Sequence, residues 1–153
     1  MFEVSVSAVV IGRKVAFMLL LAAGFAGVPE LARADHAGPE AVISNYVKAC
    51  YTGDVALLKS LFHAEALMTG HSKRGFYLGS PEPFFANVAG QEPMSKTEAA
   101  YEGRITTVQV SGDIAAVTLE ETGYFGRSYT DVFTLAKLDG EWKIVSKTYY
   151  QSQ

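Results

Sequence analysis

Two carboxylates are the residues best placed for chemistry. Asp131 lies in the run Tyr129-Thr130-Asp131-Val132-Phe133, and Glu121 ends the run that starts at Ile114. Each falls on the more apolar side of an alternating pattern, Asp131 with Phe133 and Leu135, Glu121 with Val117 and Leu119. A carboxylate there is costly unless it has a partner or a task. With a three-residue connection at Phe125-Gly126-Arg127, Leu119 faces Phe133 and Glu121 faces Asp131, so both carboxylates point into one cavity. Such a pair titrates as a coupled unit with one proton held to high pH. That suits moving a proton on and off carbon. The competing reading leaves one or both at a wet sheet end, or bonded to Ser146 and Thr148, and a single bulge reverses the facing. On the first reading, Asp131→Asn leaves the fold intact or stabilises it, because a like-charge or desolvation cost disappears.

His71, beside a loop ending in Gly75, is a candidate acid/base partner at the cavity mouth. An exposed loop histidine is the commoner case. His63 reads as closing a helix, where a cation suits the dipole, and His36 falls near the start of the mature chain. Three scattered histidines without ligand spacing argue against a metal site. Tyr46, Phe62, Phe85, Tyr129 and Phe133, with Ser146 and Thr148, are the candidate ligand-binding side chains, and Phe76 and Trp142 extend the aromatic set. An aromatic stripe is more often plain core, so a mixture of core and lining is expected. Lys147 reads as facing away from Asp131, at the surface or a dimer interface. No serine-centred elbow and no phosphate-cradling glycine loop is present. Cys50 has no activating histidine nearby in sequence and reads as a small buried hydrophobe.

The elements that must position these groups are legible. Tyr129 to Tyr150 forms a hairpin turning at Asp139-Gly140, since a two-residue type I′ turn needs positive φ at both centres. Leu138 then meets Glu141, Leu135 meets Ile144, Phe133 meets Ser146 and Asp131 meets Thr148. Val132, Thr134, Val145, Lys143, Lys147 and Tyr149 take the opposite face. Strands over Arg104 to Val110 and Ile114 to Glu121 are joined around Gly112-Asp113. Pro39 to Tyr51 is a helix with the apolar stripe Val42, Ile43, Tyr46, Val47 and Cys50. Gly53 ends it, and Asp54 caps a second helix over Val55 to Phe62. A short strand over Ala66 to Thr69 follows. Ser80-Pro81 opens a third helix that Gly90 ends. Helices followed by a run of strands mean an α+β domain: a curved, mainly antiparallel sheet packed against about three helices.

The 153 residues suit one domain. Arg13-Lys14, the apolar run from Val15 to Val28 and Ala32-Arg33-Ala34 describe a secretory signal peptide over residues 1–34, with an uncleaved anchor as the alternative. Residues 35–39 read as a flexible mature start and 40–153 as the domain, exported to a periplasm or the exterior. Removing Arg13, Lys14, Arg33, Glu3 and Glu30 leaves 10 basic and 14 acidic residues, a net charge of −4. That disfavours nucleic acid and, after cleavage, a membrane as partner. Cys50 is the only cysteine, so no internal disulfide forms.

Several stretches resemble the nuclear-transport-factor-two-like superfamily, and within it the putative lumazine-binding family, related to the SnoaL-type polyketide cyclases. They are Val47 to Asp54, Leu61-Phe62-His63-Ala64-Glu65-Ala66, Val110 to Ala115, Tyr129-Thr130-Asp131 and Asp139-Gly140-Glu141-Trp142-Lys143-Ile144-Val145. Ala64-Glu65 departs from the Pro-Asp found in many relatives. The resemblance implies a cone-shaped α+β fold with a strongly curved sheet, and a homodimer formed through the sheet's outer face. Ketosteroid isomerase, which is similar to this superfamily, uses one Asp as base and another as a neutral donor. The fold hosts several functions. The first expectation is an exported protein binding a small molecule in an apolar pocket, with no cofactor. The alternatives are a cofactor-free isomerase, dehydratase or cyclase using the pocket carboxylates, and a dimeric interaction module without ligand.

Overall fold

A computed structural model of the chain describes residues 38–97 and 100–152. The signal peptide expected over residues 1–34, most of the expected flexible start and His36 lie outside the described residues.

The first helix, α1 (Pro39–Thr52), buries Val42, Ile43, Tyr46, Ala49 and Cys50 along one side. It stops where Gly53 takes the left-handed conformation, φ 69°, and its N–H returns to the Ala49 carbonyl. Asp54 then accepts a hydrogen bond from Leu57 N–H at 2.9 Å and starts α2 (Val55–Ser60). This helix is shorter than expected. The Leu61 carbonyl accepts a hydrogen bond from Ile144 N–H at 2.8 Å, so the sheet takes up the chain there. Phe62 and His63 consequently begin a strand, β1 (Phe62–Ser72), of 11 residues in place of the short one expected. His63 does not close a helix; its Nδ1 accepts from the Glu65 amide. Strand β2 (Gly75–Gly79), helix α3 (Glu82–Ala89) and a single 3-10 turn at Met94–Lys96 follow. Strands β3 (Glu102–Ser111), β4 (Ile114–Tyr124), β5 (Arg127–Leu138) and β6 (Glu141–Gln151) complete the chain.

The six strands form one mixed sheet in the order β2-β1-β6-β5-β4-β3, antiparallel except where β1 runs parallel to β6. The fold is therefore α+β with three helices. Its core lies between α1 and the inner sheet face, where Val117, Leu119, Phe133, Leu135 and Ile144 are fully buried.

The β5–β6 turn is the expected one, with Asp139 and Gly140 both at positive φ and Leu138 opposite Glu141. Leu135 meets Ile144 as expected, and there the register departs. Val145 is an extra residue, so Thr134 meets Ser146, Phe133 meets Lys147 and Asp131 meets Tyr149. Every side chain beyond Val145 changes face. Lys147 and Tyr149 turn inward, and Ser146 and Thr148 turn outward.

The connection between β4 and β5 also differs. It is a two-residue turn at Phe125-Gly126, with φ 44° and 75°, between paired Tyr124 and Arg127. An irregularity between Glu121 and Tyr124 compensates for the shorter loop. Leu119 therefore meets Asp131 and Glu121 meets Tyr129, but both carboxylates still point to the inner face. Gly70, opposite Tyr149, has no room for a side chain: a Cβ there would lie 2.1 Å from the Tyr149 carbonyl oxygen and 2.6 Å from its ring. This close approach seats Tyr149 beside the site.

Candidate functional site

Asp131, Glu121 and Lys147 come from three adjacent strands and meet beneath α1. All three are almost wholly removed from solvent, at 0%, 3% and 3% exposure. Lys147 Nζ lies 2.6 Å from Asp131 Oδ2. The contact is ionic in character, since neither Asp131 oxygen has a well-angled hydrogen-bond partner. Four rings surround the ammonium at 5.2–5.7 Å: Tyr46, Phe84, Phe133 and Tyr149. Their negative π faces attract a cation that has lost its water.

Glu121 is held differently. Burial, then the neighbouring Asp131 charge, lift its carboxyl to about 8, while Lys147 pulls it down. The closeness of Asp131 thus favours the protonated form of Glu121. Tyr101 donates its hydroxyl to Glu121 Oε1 at 2.5 Å. Near neutral pH Glu121 is therefore a neutral acid beside the Lys147–Asp131 ion pair.

A cavity of about 490 Å³ opens over this trio. Tyr46, Glu121, Tyr124 and Lys147 form its buried lining, and Tyr129 and Tyr149 are half-buried in it. The Tyr124 hydroxyl is buried without a hydrogen-bond partner, so it can meet a polar atom of an occupant. Asn87 of α3 and the β1–β2 turn supply exposed lining, and Gln91, just past the end of α3, is half-buried in it.

Of the expected site residues, Asp131 and Glu121 come together, and Tyr46 and Tyr129 line the cavity. Phe62, Phe85 and Phe133 are buried core beside it, and Phe133 sends its ring edge against Tyr46 at 5.0 Å. Ser146 and Thr148 stand on the outer sheet face, opposite Thr134 and Val132. His71 lies within β1 rather than in a loop, exposed against the Phe76 ring and outside the cavity lining. Lys147, Tyr101, Tyr124 and Tyr149 escaped sequence reasoning. The Val145 bulge hides Lys147 and Tyr149, and no alternation pattern reveals it. Among the described residues no three His, Cys, Asp or Glu side chains gather as metal ligands.

The ion pair reverses the expectation for Asp131→Asn, which rested on Lys147 facing away. The substitution strands a buried ammonium, and breaking such a pair costs about 3–5 kcal/mol. We expect Asp131→Asn to lower Tm sharply in a thermal melt, and Asp131→Leu combined with Lys147→Met to recover most of the loss. A double variant as unstable as the single one would count against the pair.

Glu121 predicts a pH signature. In the unfolded chain it titrates near 4.5, in the folded chain near 8. As pH rises through that window the unfolded state sheds its proton first, so stability present below about 4.5 is progressively lost up to about 8. Glu121→Gln keeps an acceptor for Tyr101 and gains a donor for Asp131. It should melt above the wild type, by a margin that grows across this window. Parallel melting curves at every pH would refute the assignment.

The comparisons agree with this fold. The sequence profile of the family described as putative lumazine-binding matches residues 34–150. A nuclear-transport-factor-two-like protein of unknown function from Silicibacter pomeroyi is similar, with 28% identity and a TM-score of 0.67 over 80% of this chain and 100% of that one. Another of unknown function, from Methylobacillus flagellatus, has 22% identity and a TM-score of 0.69 over 81% and 97%. A ketosteroid isomerase-like protein from Erwinia carotovora atroseptica shares the fold at 21% identity and a TM-score of 0.54, over 79% and 98%. No curated protein matches the chain. The profile match runs from before α1 into the last strand, and by it this chain belongs to the putative lumazine-binding family, with a nuclear-transport-factor-two-like fold.

Proposed function

We propose that this protein binds a small organic molecule in the cavity above Glu121 and Lys147. The observation that carries the reading is a cavity of about 490 Å³ walled by tyrosines, with a neutral acid and a paired cation in its lining. Pockets of roughly 300–1,000 Å³ with few convergent polar groups are typical of small-molecule sites. The unpaired Tyr124 hydroxyl adds a group that an occupant would satisfy.

A second reading is proton transfer on the bound molecule, with Glu121 as acid or base. It is favoured by one observation: a buried carboxyl titrating near 8 suits proton exchange around neutral pH. The ketosteroid isomerase-like relative is in keeping with it.

Native mass spectrometry of protein purified from its own source tests both. We expect a retained small molecule, absent from Asn87→Trp, which fills the cavity from its exposed side. An empty wild type would overturn the binding reading. Incubation in deuterium oxide then separates the two. Carbon-bound deuterium in the molecule on wild-type protein, but not on Glu121→Gln, supports catalysis; no incorporation supports binding alone.

We also propose that two copies pair through the outer sheet face. The support is a row of outer-face side chains across β2, β1, β6 and β5, with Leu78, Thr148 and Val132 exposed and Thr69 half-buried between them, flanked by exposed Leu67 and Tyr150. Tyr149, expected on this face, is turned inward. Sedimentation should give a dimer at micromolar concentration and a monomer for Val132→Lys; a monomeric wild type would refute the pairing.

A further inference from the structure

We propose that the molecule this cavity takes is an anion: a flat apolar body against the tyrosine walls and an oxyanion, such as a carboxylate, held at the mouth by Lys73, Arg74 and Arg127. The proposal rests on the cavity being a binding site and adds the ligand's chemical class.

Topology supplies the first argument. Lys73 and Arg74 form the turn between β1 and β2, and Arg127 opens β5 after the Phe125-Gly126 turn. These segments are far apart in sequence. The parallel pairing of β1 with β6, and the antiparallel pairing of β6 with β5, bring the two turns to the same end of the sheet. All three cations then border one cavity.

Charge supplies the second. The lining holds four cationic side chains, Lys73, Arg74, Arg127 and Lys147, against one acidic residue, Glu121. Lys147 is committed to Asp131 behind it. The other three are exposed, and among the described residues none has an acidic partner, whereas Lys59, Arg104 and Lys143 each pair with a glutamate. The whole chain carries a net charge of −3, so a cationic rim is no overflow from a basic protein. Clustered like charges repel, and in a concave mouth they focus a field that draws an anion inward. A guanidinium fork matches the two oxygens of a carboxylate.

The division of labour follows. Inside, the Asp131 charge and the Glu121 acid make a second anionic group unwelcome, while Tyr46, Tyr129 and Tyr149 offer ring faces and edges. The anionic group therefore stays at the mouth and the ring enters first.

Titration calorimetry with matched probes tests this on the full protein: 2-naphthoate against 2-naphthamide, and indole-3-acetate against its amide. We expect each acid to bind about tenfold or more tighter than its amide, as charge-assisted bonds imply. The preference should shrink at high salt and vanish in Lys73→Gln/Arg74→Gln/Arg127→Gln, with amide binding unchanged. Arg127→Gln alone should reduce the preference in part. Amides that bind as tightly as the acids would overturn the anion assignment and leave the cavity reading standing. So would a preference that survives the triple substitution. Failure of all four probes to bind would overturn both.

Discussion

Everything around the site depends on burying charge without leaving any of it uncompensated. A lone lysine ammonium beneath α1 would be driven to lose its proton or drag in water. Asp131 prevents that, and four aromatic rings complete the ammonium's shell. Asp131 in turn needs more than one contact, because a carboxylate offers several lone pairs. Glu121 beside it is lifted first by burial and then by the Asp131 charge, so it keeps its proton and adds no second negative charge next to Asp131. Tyr101 then ties the acid to the start of the β3 segment. Each member is tolerable only because the others are there.

The backbone device behind this arrangement is one extra residue. Without the bulge at Val145, alternation would place Lys147 outside and Ser146 inside, the arrangement that reading the sequence produces. With it, a basic residue from an apparently solvent-facing position enters the core. Bulges re-aim side chains near functional sites, and here the re-aimed pair, Lys147 and Tyr149, both line the cavity. Gly70 is the matching concession on β1, since any side chain there would strike Tyr149.

This explains what could and could not be read from the chain. Helix α1 was legible because its apolar spacing, Gly53 and Asp54 agree with one another, and such agreement across levels is what specifies a local structure. The β5–β6 turn was legible because Asp139-Gly140 meets a strict φ requirement. The Glu121–Asp131 meeting survived two register errors near the β4–β5 turn because a shorter loop and a bulge together preserve parity. Lys147 had no such protection. Its flanks, Ser146 and Thr148, are polar on either side, and alternation alone cannot say which of three polar neighbours is the inward one. Strand β1 was underestimated for a related reason: its outer face carries Leu67 and His71 and its inner face Gly70, so neither alternation nor hydrophobicity marks its full length.

The same charge logic bears on what the cavity is for. A pocket meant only to hold an apolar body gains nothing from two buried carboxyls and a buried ammonium, and replacing such pairs with hydrocarbon is often stabilising. The position of Glu121 at the cavity wall places the raised acid within reach of an occupant. Glu121 lines the cavity while Asp131 does not. Burial lifts the acid most, and the ion pair behind it acts in both directions, Asp131 raising and Lys147 lowering it, so of the trio an occupant would meet the acid and the edge of the cation. An occupant would also displace water from Glu121, and further desolvation raises a carboxyl that is already raised. A group on the occupant that accepts a hydrogen bond from the Glu121 hydroxyl would stabilise this protonated form, whereas one carrying positive charge would oppose it. The inner wall therefore favours an occupant that presents an acceptor, such as a carbonyl oxygen, to a protonated Glu121.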